Sequence, residues 1–122
     1  MKLVRYKKAY HKIAMGFLSY SSGDQPVKQL QETMTRYETD DSWEMYLVKE
    51  QEDLIGIVGA EVAEHSFVVQ HLSINPSFRG QGIGKEMVVK LQEEFPDKTP
   101  YGNEYTDAFV SKCVLEETRA ER

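Results

Sequence analysis

The segment from His71 to Lys85 holds the residues best suited to chemistry. Gly80, Gly82 and Gly84 alternate there, with Arg79 ahead of them, Gln81 and Ile83 between them and Lys85 behind. Where such a run joins a strand to a helix, the first N–H groups of the helix lack intrahelical acceptors. They point outward with the positive end of the helix dipole behind them. That arrangement suits an anion such as a diphosphate. A Cβ in the loop would hold phosphate oxygens away from the amides, so glycine has a reason to be there. Arg79 and Lys85 add positive charge around the same point.

Spacing separates this loop from two other phosphate-binding patterns. A P-loop needs Gly-x4-Gly-Lys-Ser/Thr, but Gly80 falls one place short of the Gly84-Lys85 pair and Glu86 replaces the hydroxyl. A dinucleotide fingerprint needs Gly-x-Gly-x-x-Gly opening a parallel βαβ unit. Here the order is Gly-x-Gly-x-Gly, after strands whose short turns predict antiparallel pairing.

Other reactive side chains are scattered. His71 stands on the strand before the loop and titrates near neutral pH, which suits a general base as well as a structural histidine. Glu61 and Glu38 are further base candidates, or solvated carboxylates. Cys113 is the single cysteine, so it has no internal disulfide partner, and no charged activator marks it as a nucleophile. No metal is expected.

The elements that position these residues follow from periodicity. Lys2–Tyr6 predicts a short strand. Tyr10, Ile13, Ala14, Phe17 and Leu18 fall on one face of a helix ended by Ser21, Ser22 and Gly23. Asp24 is placed to cap a second helix with Pro26 in its first turn and a stripe of Val27, Leu30, Met34 and Tyr37. Three strands follow, over Trp43–Lys49, Leu54–Val62 and Phe67–Asn75. Gly56 and Gly59 in the second of them signal a bulge or a close backbone approach. The clearest helix runs from Gly82 to Phe95 with Met87, Val88, Leu91 and Phe95 inward. A weak strand over Lys98–Tyr101 precedes a last helix from Glu104 to Cys113, capped by Asn103, with Tyr105, Ala108, Phe109 and Lys112 on one side. The expected order is β-α-α-β-β-β-α-β-α, an α/β (α+β) domain with a largely antiparallel sheet over residues 1–122 and a charged tail from about 114.

Composition excludes several classes. With 122 residues, 40% hydrophobic and 29% charged, the chain has the profile of one globular domain. The formal charge of −5 argues against general nucleic-acid binding. Lys2, Arg5, Lys7, Lys8 and Lys12 read as a solvated face. No apolar run approaches a membrane span, and the start has no signal-peptide core, so a cytoplasmic protein is expected.

The pattern Arg79-x-x-Gly82-x-Gly84, preceded by Leu72-x-Ile74-x-Pro76, resembles the acetyl-CoA signature of the GCN5-related N-acetyltransferases (GNAT). The likeness is strongest over 71–95 and holds in element order over 2–113. Within that superfamily the chain is most similar to the small RibT-type proteins encoded with riboflavin-biosynthesis genes. Arg5-Tyr6-Lys7-Lys8, the run from Lys12 to Gly16, and His71-x-Ser73-x-Asn75-Pro76-Ser77 carry that narrower match.

The resemblance implies an acyl-CoA N-acyltransferase, acetyl-CoA being the expected donor and an unidentified amine the acceptor. It places the pyrophosphate on the amides of Gln81 through Lys85 and the pantetheine arm along Leu72, Ser73 and Ile74, whose N–H groups would polarise the thioester. Asn103 would touch the arm, and Phe109 would either pack on it or join the core. Direct attack of the amine needs a base and an acid. The family's usual tyrosine acid falls at Val110 here, which leaves Tyr105 as a substitute and Ser111 behind it. The family's last two strands have no counterpart after Val114, so the acceptor pocket is open or completed in a homodimer. A coenzyme-binding module without efficient catalysis is the alternative reading.

Overall fold

The computed structural model describes residues 1–21 and 25–120, with side chains on these stretches as far as residue 114. Among the described residues five strands form one sheet: β1 (Lys2–Arg5), β2 (Trp43–Glu50), β3 (Asp53–Val62), β4 (Ser66–Ile74) and β5 (Thr99–Gly102). Spatial order follows chain order. Pairing is antiparallel from β1 to β4 and parallel between β4 and β5. The helices are α1 (His11–Ser21), α2 (Val27–Thr39), α3 (Ile83–Glu94) and α4 (Asp107–Ala120), with short 3-10 turns at Lys8–Tyr10 and Pro76–Phe78. The element order expected from the sequence is the observed one.

Side-chain alternation divides the core between the two faces of the sheet. Trp43, Met45, Leu47 and Ile57 pack against Ala14, Phe17 and Leu18 of α1 and Leu30, Met34 and Tyr37 of α2. On the opposite face Tyr46, Val48, Val58, Phe67 and Val69 meet Ile83, Met87 and Leu91 of α3 and Val110 of α4. β2 and β3 are therefore buried along most of their length, as strands covered on both faces must be.

Two expectations change at the helix ends. α4 begins at Asp107, later than the predicted start at Glu104 and four residues past the predicted cap Asn103, and it runs to Ala120, beyond the predicted stop at Cys113. Its inward residues are Val110 and Cys113, whereas Tyr105, Ala108, Phe109 and Lys112 lie on the exposed side. Pro26 occupies the N-cap of α2 with extended backbone, one place before its first turn. The predicted cap Asp24, like Ser22 and Gly23, lies outside the described residues.

Both strand glycines answer a close approach. A Cβ on Gly56 would strike the carbonyl oxygen of Ser73 across the β3–β4 ladder, and one on Gly59 would strike the phenol of Tyr37. At Gly59 the register also slips: Gly59 faces His71 and Ala60 faces Val69, so Gln70 is an extra residue on β4. A one-residue bulge reverses which face every later side chain meets. Phe67 and Val69 point toward α3; beyond Gln70 that direction passes to Leu72 and Ile74, and His71 turns to the α2 side.

At the same point β5 leaves β4. The parallel ladder stops at Val69 and Gly102. Gly102 has no room for a Cβ because the backbone of Asp107 crosses it. Asn103 fills the gap: Nδ2 donates to the Gln70 backbone oxygen (3.1 Å) and to Gln70 Oε1 (3.0 Å), and Oδ1 accepts from the N–H groups of Tyr105 and Thr106. Thr106 Oγ1 donates to the Val69 carbonyl at 2.7 Å. β4 thus continues alone for five residues past its last partner on this side, Gln70 to Ile74.

Gly59→Ala should destabilise the chain by about 1–3 kcal/mol, since the new methyl displaces the Tyr37 ring. Gly16→Ala, at an exposed position of α1 with open space where the Cβ would go, should instead stabilise by about 0.5–1 kcal/mol. Urea unfolding of the two variants checks both signs.

Candidate functional site

The glycine run forms a loop from the Pro76–Phe78 turn into α3. Asn75 starts that turn, its Oδ1 accepting from the Ser77 N–H at 2.9 Å. Gly80 and Gly82 have φ of 81° and 75°, the left-handed region that side chains with a Cβ rarely adopt. Gly82 is also the N-cap of α3, and it makes no side-chain cap to the helix. The first amides of α3 are therefore placed to receive a ligand. Open space lies in front of both glycines, so the loop passes the test that an anion would set: an uncapped helix start with room before it.

A groove of about 440 Å³ runs from this loop along β4. Leu72 and Ile74 form its floor, Gly82 to Lys85 one wall, and Phe109, Lys112 and Cys113 of α4 the other. Phe109 stands so close to Gly84 that a Cβ there would come within 3.0 Å of its ring. Gly84 thus lets α4 dock against the start of α3. Arg79 is exposed at the mouth, Gln81 is exposed outside the lining, and Ser73 turns its buried side chain to the opposite face of the sheet.

A second cavity, of about 400 Å³, opens at the fork between β4 and β5. Gln70, His71 and Leu72 line one side, Tyr105 and Thr106 the other, and Ser21 and Gln25 the end toward α2. The fold thus brings together His71 and Tyr105, two residues named from the sequence for proton transfer. Tyr105 is 85% exposed. Val110, which falls where the family's tyrosine was expected, is packed in the core, and Ser111 is exposed outside the cavity lining. Glu61 stands one strand back. Its carboxylate accepts a long hydrogen bond from Gln70 Nε2 (3.5 Å) and faces Arg36 at 3.9 Å. Glu38 lies elsewhere, accepting from Tyr6 Oη at 2.6 Å and paired with His11 at 3.1 Å. These bonds, the Tyr6 hydroxyl first, hold its carboxyl below the usual range.

His71 is tied to α2. Its Nδ1 lies 2.6 Å from the Tyr37 hydroxyl, and both rings pack with Trp43. Burial pushes the imidazole pKa from 6.5 down to about 4 and the Tyr37 phenol up, so both are neutral at physiological pH. Sequence reading missed Tyr37, Gln70 and Thr106 as parts of this site. Gly59 was the signal for Tyr37, marking a close approach without saying what approaches.

A family model described as an acetyltransferase (GNAT) domain matches residues 12–106. The uncharacterized N-acetyltransferase in the lysA 3′ region of Bacillus methanolicus is 49% identical over 114 residues, covering 93% of this chain and 95% of that protein. The chain belongs to the GNAT acetyltransferase family. Among solved GNAT-fold structures, an acetyltransferase from Thermus thermophilus superposes with a TM-score of 0.72 at 14% identity, covering 91% of this chain and 83% of that one. AAC(6′)-Iy, an aminoglycoside N-acetyltransferase solved with a bisubstrate analogue built on CoA, gives 0.71 at 15% identity, over 95% and 87%. At such identities the likeness is one of fold. Among the described residues no helix is long and apolar enough to cross a membrane, and no cluster of His, Cys, Asp or Glu is arranged to hold a metal ion.

The depressed His71 pKa has a consequence for stability. Between pH 6.5 and about 4 the unfolded chain binds a proton that the folded chain refuses. Stability from this group is therefore complete above pH 6.5 and is lost as pH falls toward 4, by on the order of 2–3 kcal/mol. Urea midpoints from pH 7.5 to 4.5 should fall in the unaltered chain, and the slope should flatten in His71→Gln.

Proposed function

We propose that the chain transfers an acetyl group from acetyl-CoA to a primary amine by direct attack, using the groove for the coenzyme and the fork for the reaction. The observation that carries this is the uncapped start of α3 at Gly82, opening onto the stretch of β4 that β5 has left. The amides from Gln81 to Lys85 would hold the pyrophosphate, with Arg79 and Lys85 supplying charge. The pantetheine arm would lie along Leu72, Ser73 and Ile74 as an added strand, with Phe109 packed against it. Asn103 would serve indirectly, because its amide is engaged with Gln70 and the turn that leads into α4 and so holds the fork open.

In the reaction the amine nitrogen forms a bond to the acetyl carbon while the carbon–sulfur bond breaks. One proton leaves the nitrogen and one is taken up by the coenzyme A sulfur. Backbone N–H groups near Leu72 would stabilise the developing oxyanion. Tyr105, exposed at the fork, is the candidate acid in place of the tyrosine that Val110 replaces. Glu61 is a weaker candidate base, since Gln70 and Arg36 already engage it. The RibT-type match is the narrower reading, supported by the residues quoted above, and it names no acceptor.

A second reading, a coenzyme-binding module with slow turnover, is favoured by one observation: the expected acid position is an apolar core residue, Val110. Release of free coenzyme A in the presence of a panel of primary amines separates the two readings.

Binding can be tested before any acceptor is known. Acetyl-CoA at about 100 times its dissociation constant should stabilise the chain by about 2.7 kcal/mol and raise its melting temperature by several degrees. Gly82→Asp should abolish the shift by placing a carboxylate at the phosphate, whereas Gly82→Asn, of the same shape and tolerant of the left-handed backbone, should retain a reduced one. No shift in the unaltered chain would overturn the coenzyme assignment.

A further inference from the structure

The cluster behind the fork decides what His71 can do. The Tyr37 ring reaches His71 only because Gly59 has no side chain, and His71 faces Tyr37 only because Gln70 is an extra residue in β4. The buried Tyr37 hydroxyl must donate its proton to something, and among the described residues His71 Nδ1, at 2.6 Å, is the partner the structure gives it. Nδ1 therefore accepts, and in a neutral imidazole the remaining proton sits on Nε2. Nε2 lies on the other side of the ring from Nδ1, and no protein partner engages it among the described residues. The ring itself lines the cavity with Gln70 and Tyr105.

We infer that His71 serves the fork as a fixed hydrogen-bond donor through Nε2–H rather than as the base, with Tyr37 as the positioning residue that sets its tautomer. A donor at this place does not help an amine lose a proton. It suits an oxygen of the acceptor next to the reacting amine, a carbonyl or hydroxyl, and so favours amines that carry one. The acceptor class rests on the acetyl-transfer reading; the tautomer does not.

The test is therefore in two parts. In protein labelled with 15N-histidine, long-range proton–nitrogen correlation spectra at pH 7 should show His71 protonated at Nε2 and bare at Nδ1. Tyr37→Phe should alter the His71 signals and leave those of the exposed His65 in place. A bare Nε2 with a protonated Nδ1 in the unaltered chain would overturn the inference without any assay of activity. For the acceptor, turnover of acetyl-CoA is compared with glycinamide and with propargylamine, amines of similar basicity with and without a neighbouring carbonyl. His71→Phe should raise the KM for glycinamide about tenfold relative to that for propargylamine, and His71→Gln, which keeps a donor, should restore the ratio. An equal loss of kcat with both amines in both variants, or an acid limb in kcat/KM that disappears with His71, would show a base and overturn the donor role. Absence of turnover with every amine tested would count against acetyl transfer, and the spectra would still decide the tautomer.

Discussion

The bulge at Gln70 sets which face of the sheet each later residue of β4 meets, and the site depends on that choice. Were Gln70 an ordinary residue of the ladder rather than a bulge, the alternation that points Phe67 and Val69 at α3 would continue through His71 and Ser73. Leu72 and Ile74 would then face α2, and the groove beside α3 would lose its apolar floor. With Gln70 bulged, Leu72 and Ile74 floor the groove and His71 joins Tyr37 and Trp43 on the other face. The same residue anchors the parting of the strands, since its backbone and side-chain oxygens both accept from Asn103. A bulge and a fork at one position make a strand edge available to a ligand without exposing a long unpaired ladder.

The helices complete what the strands begin. α3 starts without a side-chain cap, so its first amides face the groove; an ordinary Ser or Asp cap would have consumed part of that capacity. Asn103 instead caps the turn that leads into α4, accepting from the Tyr105 and Thr106 amides, and Thr106 ties that turn to Val69. The contrast is chemical as well as structural. The helix suited to an anion keeps its start uncapped, whereas the turn that leads into α4 has its amides satisfied by Asn103.

Much of this was legible in the sequence. The element order, the inward stripe of α3, that of α2 except for the exposed Val27, and the glycine loop follow from short-range pattern, because glycines and helical periodicity act over a few residues. The face of α4 was misjudged because Tyr105 and Phe109 are apolar yet exposed, lining the fork and the groove rather than the core. The contact between Tyr37 and His71 was not legible, since it joins residues 34 apart across a glycine whose neighbour no local rule identifies. The extension of α4 through its charged end also escaped pattern reading, because a polar helix tail and a polar loop look alike in composition.

The free edge of β4 and the start of α3 together form the proposed ligand-binding surface. Amide proton–nitrogen spectra during titration with coenzyme A test that directly. Large shifts are predicted at Leu72, Ile74 and Gly82 to Lys85, with ADP moving the loop amides alone because it lacks the pantetheine arm. Shifts confined to other parts of the chain, or none with either ligand, would contradict it.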